Sequence, residues 1–179
     1  MKLTTKELTQ SAIFTALICV MSIITIPIGI VPVTLSLLGV MLAAVILGTK
    51  KGVVSVLIYI LCGLIGLPVF SGFKGGIQVI VGPTGGYIYS YLLTALIIGV
   101  VSDKLKPKGI MAYVITFFSC CFGILFCYLF GTLHFAAVTD VSLSDAFFKC
   151  VAIFIPFDII KAVVASFVGN IVKKRLKFI

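Results

Sequence analysis

From Leu8 to Val172 the chain is a succession of long apolar runs, broken at short intervals by proline, glycine or lysine. The runs are too long for strands, and several are long enough to cross a bilayer as helices. Six helices are predicted, at about Leu8–Ile26, Val33–Leu47, Gly52–Leu67, Gly85–Val101, Gly109–Gly131 and Ser144–Val172. Pro27, Pro32, Pro68, Pro83 and Pro107 fall at the junctions, where helix breakers belong. The second and third runs are short for a full span, so tilting or a thinned bilayer is expected around them. The expected fold is an all-α integral membrane protein, a six-transmembrane-helix bundle forming one membrane domain over residues 1–179.

Composition agrees with the pattern. With 61% hydrophobic and 11% charged residues and a mean hydropathy of +1.33, no segment is left to build a water-soluble catalytic domain. The first apolar run exceeds a signal-peptide core and lacks a small-x-small cleavage site before Pro27, so it is read as a retained helix.

The net charge of +9 is informative through its placement. Eleven of the fourteen cations lie at alternate helix ends: Lys2 and Lys6, Lys50 and Lys51, Lys104, Lys106 and Lys108, then Lys173, Lys174, Arg175 and Lys177. The opposite ends carry only Lys74 and Lys149, with Lys161 inside the sixth helix. The positive-inside rule places both termini in the cytoplasm. The charge is thus a topology signal, and no nucleic-acid partner is expected.

The opposite loops (PIGIVP, PVFSGFKGGIQVIVGPT and roughly His134–Leu143) are apolar and rich in glycine and proline. Loops that merely join helices in water are polar and short, so these are expected to fold back over the helix ends. Phe70, Phe73, Tyr87 and Tyr89 are either interfacial anchors or pocket walls.

Within the sixth helix, FIPFDIIKAVVASFVGN carries two opposite charges, each costing about 2.5–3.5 kcal/mol near a bilayer centre. At 100° per residue, Phe154, Asp158, Lys161, Ala162, Ala165 and Gly169 share one stripe, against an opposite face of Ile159, Ile160, Val163, Val164 and Phe167. The charges therefore face the bundle. Pro156 loosens the helical ladder one turn before Lys161. The pair is open to three readings: an internal salt bridge, a polar wall of a ligand pocket, or a proton relay. An ionisable residue inside a membrane favours a functional role, and a purely structural ion pair is a poor source of stability. Carboxylate and ammonium side by side suit a ligand with N–H donors next to an oxygen acceptor, such as a urea, an amide or a zwitterion. Gln78 could add one donor and one acceptor.

The segment GLPVFSGFKGGIQVIVGPTGGYIYSY holds six glycines, at 72, 75, 76, 82, 85 and 86, suited to positive φ and close backbone approach. Thr84 stands where a helix N-cap is needed. No nucleotide-binding glycine motif is present. Together with PFDIIKA, this segment resembles the BioY family of biotin transporters, the substrate-binding S components of energy-coupling factor (ECF) transporters. The resemblance covers nearly the whole chain. It implies that Asp158 and Lys161 line a biotin pocket, the ureido N–H groups meeting Asp158 and the ureido carbonyl meeting Lys161. It further places Gly75, Gly76, Gln78 and Tyr87 near the ligand, with Lys74 a candidate for the valerate carboxylate. Ala12 and Ala16, an AxxxA pair on the first helix, are implied to contact the transmembrane coupling subunit, since small residues allow close helix approach. Two ATPase subunits and the coupling subunit would supply the motor, because this chain has no Walker A motif. The implied setting is a bacterial plasma membrane, with no cofactor and biotin as ligand. S components for thiamin or riboflavin share the architecture, and a proton-coupled carrier is the remaining alternative.

An enzyme is not expected. The single histidine, His134, is placed in an outer loop without a partner, and Asp103, Asp140 and Asp145 lie in or beside loops without catalytic spacing. Asp103 reads as a solvated charge. Six scattered cysteines, with no CxxC and no metal-ligand spacing, read as buried, reduced and inert.

Overall fold

A computed structural model describes residues 4–28, 31–105 and 109–176. Lys2, Lys106, Pro107, Lys108 and Lys177 therefore lie outside the described residues. Among the described residues, seven helices and a two-stranded hairpin run in the order α1 (Thr5–Ile23), β1 (Thr25–Ile26), β2 (Val33–Thr34), α2 (Ser36–Leu64), α3 (Ile77–Val81), α4 (Gly85–Lys104), α5 (Ile110–Thr139), α6 (Leu143–Ala146) and α7 (Ala152–Leu176). A π-helical turn, Phe147–Val151, joins α6 to α7, so that Leu143–Arg175 forms one continuous span. Among the described residues, five stretches are long and apolar enough to cross a membrane: α1, α2, α4, α5 and this last span.

The first half of α2 is the centre of the bundle. Every residue from Ser36 to Gly48 is buried, as a helix apolar on all sides must be. It is wrapped by α1, α4 and α7, and α5 packs on α4 and α7. Lys50 and Lys51 were expected in a loop but lie within a helical assignment that continues past them. The break is a single residue, Gly48, at φ +78°. A Cβ on Gly52 would stand 2.9 Å from the Ala44 Cα, whereas eight residues of unbroken helix span about 12 Å. The chain thus reverses at Gly48 and lays its second segment against its first.

Asp103 holds this reversal. It is exposed, as expected, but its carboxylate accepts the Thr49 N–H at 2.8 Å and so caps the second segment from α4. Asp103→Ala is expected to lower stability by about 0.5–2 kcal/mol, the usual worth of an N-cap, measured by unfolding in detergent. Nearby, Lys50 pairs with Glu7 at 3.3 Å and Lys51 donates to Gln10 at 2.9 Å, tying the start of α1 to the same turn.

Other boundaries move for identifiable reasons. The first helix stops at Ile23 because Thr25 and Ile26 pair with Thr34 and Val33. The fifth helix runs to Thr139, so His134 is helical rather than in a loop; its Nε2 lies 3.0 Å from the Gly82 carbonyl and its ring stacks edge-on against Tyr89. Thr84 occupies the N-cap position of α4, but its side chain makes no capping bond. Three of the six cysteines (Cys120, Cys127, Cys150) are fully buried and the other three half-buried; all are free thiols.

Candidate ligand-binding site

The α7 stripe is buried as its periodicity requires: Phe154, Asp158, Lys161, Ala162, Ala165 and Gly169 all face inward, while Ile159, Ile160, Val163 and Phe167 are exposed. Gly169 lets α7 approach the core helix closely, since a Cβ there would meet the Val45 side chain at 2.7 Å. The stripe delivers two charges to the interior. Lys161 Nζ donates to Asp158 Oδ1 at 2.6 Å, and Asp158 and Lys161 are only 4% and 7% exposed. Tyr128, on α5, donates its hydroxyl to the other carboxylate oxygen at 2.7 Å.

This trio lines a cavity of about 130 Å³. One water needs about 10–15 Å³ by the same measure, so the space suits a small molecule rather than a lone ion. Its walls come from every part of the chain that the loops draw together. The β-hairpin contributes Val33 and Thr34, the long α2–α4 connection Phe70, Ser71, Lys74 and Val79, and α4 Tyr87, Ile88 and Tyr91. Hydroxyls line another part of the wall: Ser36 Oγ bonds Tyr91 OH at 2.8 Å, and Ser22 Oγ bonds Tyr59 OH at 2.7 Å.

The connection that roofs the cavity is pinned from inside. Phe70 is 1% exposed, packs edge-on against Tyr59 at 5.5 Å and presses on Gly63. Its N–H bonds the Lys74 carbonyl at 2.9 Å, closing a tight loop that carries Lys74 to the cavity mouth. At the far end, a Cβ on Gly85 would stand 1.6 Å from the Ile80 carbonyl oxygen, so only glycine permits that turn into α4.

Of the residues singled out in the sequence, Asp158, Lys161, Tyr87 and Lys74 meet at this cavity. Gln78, Gly75 and Gly76 do not line it: Gln78 is exposed and donates to the Gly75 carbonyl at 2.8 Å, shaping the loop from outside. The aromatic ambiguity divides evenly. Phe70 and Tyr87 are cavity walls, while Phe73 and Tyr89 are exposed. Ala12 and Ala16 lie exposed on α1 beside Ile13, Leu17 and Val20. Sequence reasoning missed Tyr128, Tyr59, Tyr91, Ser22 and Ser36; the available signal was hydroxyl groups recurring inside otherwise apolar spans.

Chemically, the ion pair is half used. An ammonium has three donors and a carboxylate about four acceptor sites, and one donor and two acceptor sites are engaged. The remainder can serve a ligand that presents N–H donors beside a carbonyl, with apolar and aromatic walls for its hydrocarbon part. Tyr128→Phe removes one of the two partners of the Asp158 carboxylate. Ligand affinity is expected to fall about tenfold, the equivalent of one hydrogen bond to a charged group, as measured by equilibrium binding.

Comparison with known proteins agrees with this geometry. The family model described as the BioY family matches residues 1–178. A biotin transporter BioY of Thermotoga maritima is 41% identical over 171 residues, covering 94% of this chain and 96% of that protein. One of Rhizobium etli is 37% identical over 178 residues, covering 95% and 94%. The crystal structure of the S-component for biotin from an ECF-type ABC transporter superposes with a TM-score of 0.88 at 32% identity, over 97% of this chain and 95% of that one. With matches that run nearly end to end in sequence and in structure, this chain belongs to the BioY family.

Proposed function

We propose that this chain is the biotin-binding S component of an ECF-type transporter, capturing biotin outside the cell. The observation that carries the reading is the buried Asp158–Lys161 pair on the wall of a cavity roofed by the α2–α4 connection. Biotin matches both halves of that cavity. Its ureido ring offers two N–H donors to Asp158 and a carbonyl to Lys161, and its bicycle and aliphatic chain suit Phe70, Val79, Ile88 and Phe154. Lys74 and Tyr87 both line the cavity; in this reading the exposed Lys74 receives the valerate carboxylate and Tyr87 walls the ring. Gly75, Gly76 and Gln78 shape the roof, Gln78 through its bond to the Gly75 carbonyl.

α2 breaks at Gly48, and counting its two segments separately turns the five candidate spans among the described residues into the six membrane helices of this reading. The cation-rich ends, with both termini, face the cytoplasm of a bacterial cell, and the cavity faces outward. The exposed Ala12–Ala16 face of α1 is the contact for a transmembrane coupling subunit, which with two ATPase subunits drives uptake. Glu7 and Gln10, bonded to Lys50 and Lys51, fix the orientation of that helix.

The test is uptake of radiolabelled biotin by cells lacking their own biotin importer, with this chain expressed alone or with a coupling and ATPase module. Biotin uptake that needs the module, resists excess thiamin and riboflavin, and falls sharply with Ala12→Trp is expected. Uptake competed by thiamin, or unaffected by bulk at Ala12, would contradict the corresponding part.

A further inference from the structure

The roof of the cavity is apolar on its outer surface as well as its inner one. Ile65 is 79% exposed, Phe73 68%, Ile77 65% and Val81 60%. Exposed apolar patches of this kind mark an interaction surface. The patch is also continuous with one face of α2, because Leu57, Leu61 and Ile65 are exposed at helical spacing and run directly into the connection.

Helix length sets the depth of the patch. From the cationic turn at Lys51 to Leu64, α2 rises about 20 Å, whereas the hydrocarbon core is about 30 Å thick. With the lysines held at one water interface, α2 ends about 10 Å short of the other. By contrast, α4 has twenty residues and spans the whole core. The 65–84 connection must therefore climb through the far leaflet between these two levels. Irregular backbone at that depth has to find its hydrogen bonds within the protein, and three bonds tie the connection back on itself and on the end of α2. Leu67 N–H bonds the Cys62 carbonyl at 3.1 Å, Gly76 N–H the Gly63 carbonyl at 2.7 Å, and Phe70 N–H the Lys74 carbonyl at 2.9 Å. Phe73, held at φ +57°, turns its ring outward while Phe70 turns inward.

We infer that the cavity roof is a lipid-embedded element. Phe73, Ile77 and Val81 contact the acyl chains of the leaflet on the cavity side, and Lys74 reaches the polar boundary beside them. The roof is then bounded by lipid on one face and the ligand cavity on the other.

The chain contains no tryptophan, so one introduced indole reports one position. Phe73→Trp and Ile77→Trp, each in the full chain, are reconstituted in phosphatidylcholine vesicles. Quenching is measured with lipids brominated high or low on the acyl chain, and with aqueous iodide. Leu57→Trp serves as the lipid-facing control and Lys174→Trp as the water-facing one. Both roof positions are expected to lose most of their emission to the shallow bromines and little to iodide. Strong iodide quenching would put the roof in water, and resistance to both quenchers would mean protein covers it; either result overturns the inference. Two positions keep the test decisive should one variant misfold.

Discussion

Asp158→Ala is expected to unfold far more easily than the parent protein and to lose biotin, whereas Asp158→Leu combined with Lys161→Met is expected to regain the stability and not the binding. Removing one partner of a buried ion pair strands the other charge, at about 3–5 kcal/mol. Here the stranded group would be the Lys161 ammonium, 7% exposed and with Asp158 as its hydrogen-bond acceptor. Tyr128 would lose its acceptor as well. Replacing both charges with apolar side chains of similar bulk removes the desolvation cost, and such exchanges are often neutral or stabilising. Binding should stay lost because the ligand N–H groups would have no carboxylate. Two hydrogen bonds to a charged group, at about 1.5–3 kcal/mol each, amount to at least about a hundredfold in affinity. Thermal unfolding in detergent and biotin binding, measured on both variants, separate the two roles. A double variant that still binds biotin would make the pair purely structural.

The second large effect is expected at Gly63, on α2, which meets the cavity through Phe70. An alanine Cβ there would stand 2.0 Å from Phe70 Cζ and 2.4 Å from Cε1 and Cε2. The helix end cannot retreat easily, because the Gly63 carbonyl accepts from both Gly66 and Gly76. The ring must give way, and with it the inner pin of the roof. Gly63→Ala is expected to cost about 1–3 kcal/mol of stability, as overpacking does. If the displaced ring costs the closed, ligand-bound roof about 1.4–2.7 kcal/mol more than the free protein, biotin release quickens by about ten- to hundredfold. Phe70→Leu lacks the clashing ring atoms, so the Gly63→Ala/Phe70→Leu protein should be more stable than Gly63→Ala alone. Release of labelled biotin, followed by rapid filtration, reads the effect; an unchanged rate in Gly63→Ala would detach Phe70 from roof closure.

The features most legible in the sequence were those that one helix determines by itself. The stripe of Phe154, Asp158, Lys161, Ala162, Ala165 and Gly169 follows from 100° spacing, and the structure buries all six. The apolar character of the Pro68–Thr84 loop likewise foretold a segment that folds over something, and it roofs the cavity. What escaped depended on contacts between segments distant in sequence. Lys50 and Lys51 look like a loop, yet the reversal needs only Gly48 because Asp103 on α4 supplies the cap. His134 has no partner in sequence; its partner, the Gly82 carbonyl, is 52 residues away. Tyr128 is one hydroxyl within a long apolar helix until α7 presents Asp158 to it. Gln78 resembled a ligand group by composition, but the turn at Gly76, with φ +93°, directs its amide back to Gly75. The family resemblance supplied the ligand, which neither periodicity nor charge names.

The central claim is that this cavity holds biotin on Asp158 and Lys161. The most direct test is calorimetric titration of biotin into the purified, detergent-solubilised protein, beside Asp158→Asn and a thiamin titration. Tight one-to-one binding of biotin, lost in Asp158→Asn and absent with thiamin, is the expected result. No heat from biotin with cooperatively folded wild-type protein, or undiminished binding by Asp158→Asn, would contradict it.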